Sequence, residues 1–158
     1  SSGPPMMPVL YNNNYQIVQT EDYVMIMVEM VHDARIIRID GEHRVDFAKW
    51  MGDSIGYWEG DTLVVETIGL HPMQSRWGFT ENVKVTERFD LIEQDKVRYH
   101  FTVEDDEVYT RPWSGEVAMN RRPEDSDQIY EYACHEGNYA FPGILGGARR
   151  LEAENASK

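Results

Sequence analysis

The sequence predicts an all-β fold, a single antiparallel β-barrel, on three observations. Short segments rich in Val, Ile, Tyr, Phe and Thr recur along the chain, bounded by turn residues. Hairpin signals, Asp40-Gly41 and Glu59-Gly60-Asp61, fall between such segments. Residues 83–103 alternate apolar and polar side chains with the two-residue period of strands that have one wet face.

Taken in order, residues 1–14 read as an extended arm. Pro4, Pro5 and Pro8 forbid a helix there, and Asn12-Asn13-Asn14 favours turns. The barrel domain is expected over 15–142, with strands at 15–19, 23–31, 34–39, 54–58, 62–68, 83–92, 96–103, 108–119 and 128–135. Only 45–51 and the tail are candidates for helix. The tail, 143–158, holds Gly143, Gly146 and Gly147 and reads as loose or as a short helix.

The bulk properties narrow the partners. The 158 residues are 41% apolar and 27% charged, enough for a sizeable core. A net charge of -13 repels phosphate backbones and anionic lipid, which argues against nucleic acid and membrane-surface partners. No run approaches the roughly 18 apolar residues of a membrane helix, so no membrane insertion is expected. A single cysteine, Cys134, excludes an internal disulfide framework and a multi-cysteine metal site. The five histidines (His32, His43, His71, His100 and His135) are widely spaced and form no ligand motif, and no phosphate loop or nucleophile elbow is present, so neither metal nor cofactor is expected. Oligomeric state is left open.

The 83–103 segment can be read in register. With a turn at Glu93-Gln94-Asp95, one face carries Val83, Val85, Glu87, Phe89 and Leu91 against Val97, Tyr99, Phe101 and Val103. The other face pairs Lys84 with Glu104, Thr86 with Thr102, Arg88 with His100 and Asp90 with Arg98, a largely complementary set. Glu87 violates the pattern, since it sits in the apolar row opposite Phe101. A carboxylate there must be paired, hydrogen-bonded or protonated. It is either a general acid or base of raised pKa or one half of an inert buried pair. If a three-residue turn at Asp105-Asp106-Glu107 follows, Tyr109, Arg111 and Trp113 join the inner face and Arg111 becomes its partner.

Two other clusters carry ionisable groups. His32-Asp33-Ala34-Arg35 places an imidazole beside a carboxylate, the usual ingredients of proton transfer. The more ordinary reading is a polar turn joining two strands, with Asp33 and Arg35 paired at the surface. In the 130–139 stretch, Glu131 and His135 share a face by alternation, whereas Cys134 points away from His135, which argues against thiol catalysis. Four Trp, nine Tyr, five Phe and eight Met supply either core plugs or the walls of a cavity for a hydrophobic ligand.

The strings Tyr11-Asn12-Asn13-Asn14-Tyr15-Gln16-Ile17, His32-Asp33-Ala34-Arg35-Ile36-Ile37, Trp58-Glu59-Gly60-Asp61-Thr62-Leu63-Val64-Val65-Glu66-Thr67 and the 130–139 stretch together resemble an uncharacterised family of bacterial proteins, many of them exported. The Trp-Glu-Gly-Asp hairpin texture is also similar to calycin barrels, of which lipocalins are one branch. The resemblance implies sequence upstream of this domain, a periplasmic or secreted setting and an upstream partner for Cys134, but no activity.

The leading expectation is a small enzyme using cofactor-independent acid–base chemistry (isomerase, cyclase, lyase or hydrolase) on a hydrophobic small molecule. Glu87 is its acid or base, Arg111 the charge partner, His32 or His135 a second proton carrier and Tyr99 a hydroxyl donor. Trp113, Phe101, Tyr109, Glu131 and Trp58 line the ligand site. The alternatives are a lipocalin-like binder without chemistry, or a structural domain of a longer exported protein.

Overall fold

β-Branched and aromatic side chains dominate eight short segments, and each becomes a strand. They are β1 (Tyr15–Gln19), β2 (Tyr23–Val28), β3 (Ala34–Ile39), β4 (Asp53–Glu59), β5 (Thr62–Ile68), β6 (Lys84–Glu93), β7 (Lys96–Glu104) and β8 (Trp113–Asn120). The computed structural model describes residues 3–8, 13–44, 46–74, 78–123, 128–133 and 140–156. The strands form one sheet in sequence order, curled into a half-barrel with β1 and β8 as its edges.

Every pairing is antiparallel except β3 with β4, which run parallel through Ile37↔Ser54 and Ile39↔Gly56. The wholly antiparallel expectation is therefore corrected at this one junction. Asp40-Gly41 does turn the chain, with Asp40 at φ 50. It opens a long crossover, as a parallel pairing requires, rather than a hairpin. The Glu59-Gly60-Asp61 signal does close a hairpin between β4 and β5, with Gly60 at φ 60.

The 83–103 register is as the alternation requires: Lys84↔Glu104, Thr86↔Thr102, Arg88↔His100 and Asp90↔Arg98. At the turn, Glu93 rather than Ile92 faces Lys96, because a bulge between Leu91 and Glu93 absorbs one residue. No strand forms at 128–133 among the described residues, and none of the described residues of 46–51 is helical. The C-terminal helix α1 (Ala140–Ala156) has no buried side chain, and no helix among the described residues is long and apolar enough to cross a membrane.

The core lies on the concave face. Val24, Ile26, Ile37, Leu63, Val65, Val85, Phe89, Tyr99, Phe101 and Val103 are buried in one cluster, which the arm joins through Met6. Val97, Trp113, Val117 and Met119 pack on it from the β7–β8 side. Gly115 faces Phe101 across the β7–β8 ladder. A Cβ there would stand 2.5 Å from Phe101 Cζ and 2.9 Å from Cε1. The ring cannot move aside, since Tyr99 and Trp113 each hold it at a centroid distance of 5.6 Å. Gly115→Ala is expected to lower stability by about 1–3 kcal/mol through overpacking, read as a lower urea midpoint. An unchanged midpoint would mean that β8 does not sit this close to β7.

Candidate functional site

Alternation along β3 turns Arg35 and Ile37 inward and leaves Ala34 and Ile36 exposed. Alternation along β6 and β7 turns Glu87 and Tyr99 to the same interior. The three side chains meet there. Arg35 Nη1 donates to Glu87 Oε2 at 2.5 Å, Nη2 donates to Oε1 at 3.1 Å, and Tyr99 Oη donates to Oε1 at 2.8 Å. Glu87 is 0% exposed and Arg35 2%.

A bidentate pair of this kind is how a buried carboxylate keeps its charge without water. Burial pulls the Arg35 guanidinium down, but Glu87 outweighs that effect and the net direction is up. Burial, reinforced by the Glu87 charge, pushes the Tyr99 phenol well above its ordinary value, so it stays a donor. The arm completes the network, as the Met6 amide donates to Tyr99 Oη at 2.8 Å and the Met6 sulfur lies 3.8 Å from Arg35 Nη2.

A cavity of about 630 Å³ opens between the two sheet edges. Tyr15, Gln16 and Ile17 of β1 line one side, Val117, Met119 and Asn120 of β8 the other, and Met6 and Val97 also line it. Arg121 and Arg122, which follow β8, also border it. Ile129 reaches it because Glu29, itself buried, ties the later chain to β1: its carboxylate accepts from the Tyr130 amide at 3.2 Å and from the Asn14 side chain. The Arg35–Glu87–Tyr99 network does not border the cavity. Met6 links the two, since it lines the cavity and also contacts Tyr99 and Arg35.

Of the expected site residues, Glu87 and Tyr99 come together as described. The partner of Glu87 is Arg35, not Arg111. The loop after β7 runs to Pro112, longer than a three-residue turn, because Pro112 has no N–H to give a ladder and the strand starts after it. Arg111 is left exposed in that loop. Asp105 organises the loop by accepting from the Thr80 amide at 2.7 Å and the Glu107 amide at 3.2 Å.

Phe101, Trp113 and Tyr109 form an edge-to-face aromatic run that ends on Phe79, apart from the residues that line the cavity. Trp58, 44% exposed at the end of β4, and Glu131, exposed after β8, do not line it either. His32 is exposed in a 3₁₀ turn (Met30–His32), away from Glu87's hydrogen-bond partners. His135, like Cys134 and Trp77, lies outside the described residues. The surface pairing of Arg35 with Asp33 is overturned by the burial of Arg35. A signal for this was present in the sequence, since Arg35 shares its parity with Ile37 and Ile39.

A second buried acid escaped the sequence reading. Asp53, 2% exposed, takes a bidentate pair from Arg38 (3.2 and 2.8 Å), Lys49 Nζ at 2.9 Å, the Arg44 amide at 2.9 Å and His43 Nδ1 at 3.2 Å. Burial pushes its carboxyl up, but these donors together outweigh burial and hold it far below the usual carboxylate range. Three of its four donor residues, His43, Arg44 and Lys49, lie in the connection that follows β3, so Asp53 pins the crossover rather than forming a pocket.

Comparison with protein families, with curated proteins and with solved structures finds no match to this chain at the level that would assign a family or a fold relative.

Proposed function

We propose that this domain is a calycin-like carrier or sensor that binds an elongated, mainly apolar small molecule between β1 and β8. The observation that carries the reading is the cavity between the two sheet edges. Its volume of about 630 Å³ is in the range of small-molecule sites, and its walls mix apolar side chains such as Ile17, Val97, Val117 and Met119 with polar and charged ones such as Gln16, Asp95, Arg121 and Arg122. The Arg35–Glu87–Tyr99 network ties β3, β6 and β7 together.

Acid–base catalysis by Glu87 is the weaker reading. The carboxylate already accepts three hydrogen bonds, is fully buried and does not line the cavity. A general base must reach the proton that it removes.

The test is a titration with the neutral dye Nile red. One saturable site is expected on the unaltered chain. Val117→Trp, which fills the cavity from the β8 wall, is expected to weaken binding about tenfold or more, worth about 1.4 kcal/mol, while the far-ultraviolet circular dichroism spectrum stays unchanged. Equal affinity in the two proteins would place the dye elsewhere and end this reading. A turnover that disappears in a folded Glu87→Gln protein would return the choice to catalysis.

A further inference from the structure

Charge is unevenly placed on this chain. The whole carries a net charge of -13, yet the cavity between β1 and β8 has two arginines in its wall, Arg121 and Arg122, against one acid, Asp95. All three stand at one end. The β7–β8 ladder reaches Lys96↔Asn120, so the residues after β8 run past the β6–β7 turn, and the Arg121 amide donates to the Asp95 carbonyl at 2.7 Å. Asp95 offsets one of the two positive charges, and one remains. Arg122 is half-buried there, and among the described residues no hydrogen bond or ion pair engages its guanidinium.

Away from the turn the wall is apolar. Val97 and Met119 face each other across the ladder, Val117 follows on the same face, and all three pack on the core that Met6 joins. At about 3.3 Å per residue, Val117 stands roughly 10 Å from Asn120 along β8. A ligand lying along this strand therefore meets apolar side chains over its body and a surplus positive charge at its tip.

The charge of that tip follows from reach. The rest of the chain's acids act mainly through solvent, where screening limits them to about 8 Å at physiological salt. A head group in contact with Arg122 is not screened in that way. An anionic oxygen group matches the guanidinium fork with charge-assisted hydrogen bonds. A cationic head would crowd like charges, and an uncharged head would leave the guanidinium unmatched. The interior arginine cannot take this part, since Arg35 is already bound to Glu87.

We propose that the cavity takes a monomeric amphiphile with one apolar chain and one anionic head, its head on Arg122 beside the β6–β7 turn and its chain along Val97, Val117 and Met119. This deepens the binding reading above and rests on it. The source is the free molecule rather than a bilayer, because a net charge of -13 repels an anionic lipid surface as a whole.

Dodecanoate, dodecan-1-ol and dodecylammonium share a chain length and differ in head charge. Competed against Nile red on the full chain at low salt, dodecanoate is expected to displace the dye at about a fivefold lower concentration than the alcohol, the worth of one half-buried charge-assisted contact. Dodecylammonium should need the highest concentration, whereas the overall charge of the protein alone predicts the reverse order. In Arg122→Gln most of the carboxylate's advantage should vanish, with the alcohol unaffected and the far-ultraviolet circular dichroism spectrum unchanged. Equal displacement by carboxylate and alcohol, tighter binding of the ammonium, or an advantage that survives in Arg122→Gln each overturns the anionic-head proposal and leaves the cavity standing. Cosedimentation of the chain with phosphatidylglycerol vesicles overturns the free-molecule source. Failure of all three ligands to displace bound dye overturns this proposal and the binding reading together. The order of the three on the unaltered chain is decisive even if the variant does not fold.

Discussion

Arg35→Ala will cost about 3–5 kcal/mol of stability, the usual result of stripping one partner from a buried ion pair. Glu87, 0% exposed, loses two of its three donors and keeps only Tyr99. The methionine sulfur that lay against the guanidinium loses its contact as well. Against the roughly 5–15 kcal/mol of a typical domain the loss is a large fraction, so urea unfolding at neutral pH should show a greatly lowered midpoint.

The double change Arg35→Met with Glu87→Leu is the control. Replacing both charges by apolar groups of similar reach removes the desolvation cost along with the attraction, and most of the lost stability should return. A double variant as unstable as the single one would show that the pair is not a closed unit.

The second large effect is at Asp53. Asp53→Asn is expected to cost about 2–3 kcal/mol at neutral pH, because Arg38 and Lys49 lose their counter-charge while the amide group can still accept from some of the same donors. The pH dependence has a definite sign. The folded-state carboxyl titrates below its ordinary value, so the unfolded chain binds the proton more readily. The contribution of Asp53 is therefore present in full above the ordinary carboxylate value of about 3.9 and is lost as pH falls through the lower folded-state value. Acid titration followed by circular dichroism should show the parent losing stability steeply below about pH 4, and Asp53→Asn losing it with a shallower slope. Parallel slopes would mean that Arg38, His43 and Lys49 do not hold the carboxylate as described.

Much of the sheet was legible because strand signals are local. Alternation in 83–103 set the β6–β7 register down to individual pairs and marked Glu87 as an acid turned inward. It could not name the partner, because the choice between Arg35 and Arg111 depends on which strands curl over β6, and β3 lies about fifty residues upstream in the chain. The same limit hid Asp53. It opens β4 next to a connection whose composition resembled a hairpin, and only the parallel β3–β4 pairing folds that connection back over it. The described part of the strand expected at 128–135, residues 128–133, forms no strand because tyrosine and alternation are weak cues where no described strand pairs with the segment; it is held instead by Glu29.

The sequence by itself determined the β class, the positions of most strands, the hairpin at Gly60 and the inward turn of Glu87, since each follows from residue periods and turn chemistry within a few positions. Tertiary structure alone decided the parallel crossover, the Arg35 partner, the docking of Met6 on Tyr99 and the cavity between β1 and β8. These depend on how far the sheet curls before its edges approach, a property of the summed twist of eight strands that no local pattern encodes.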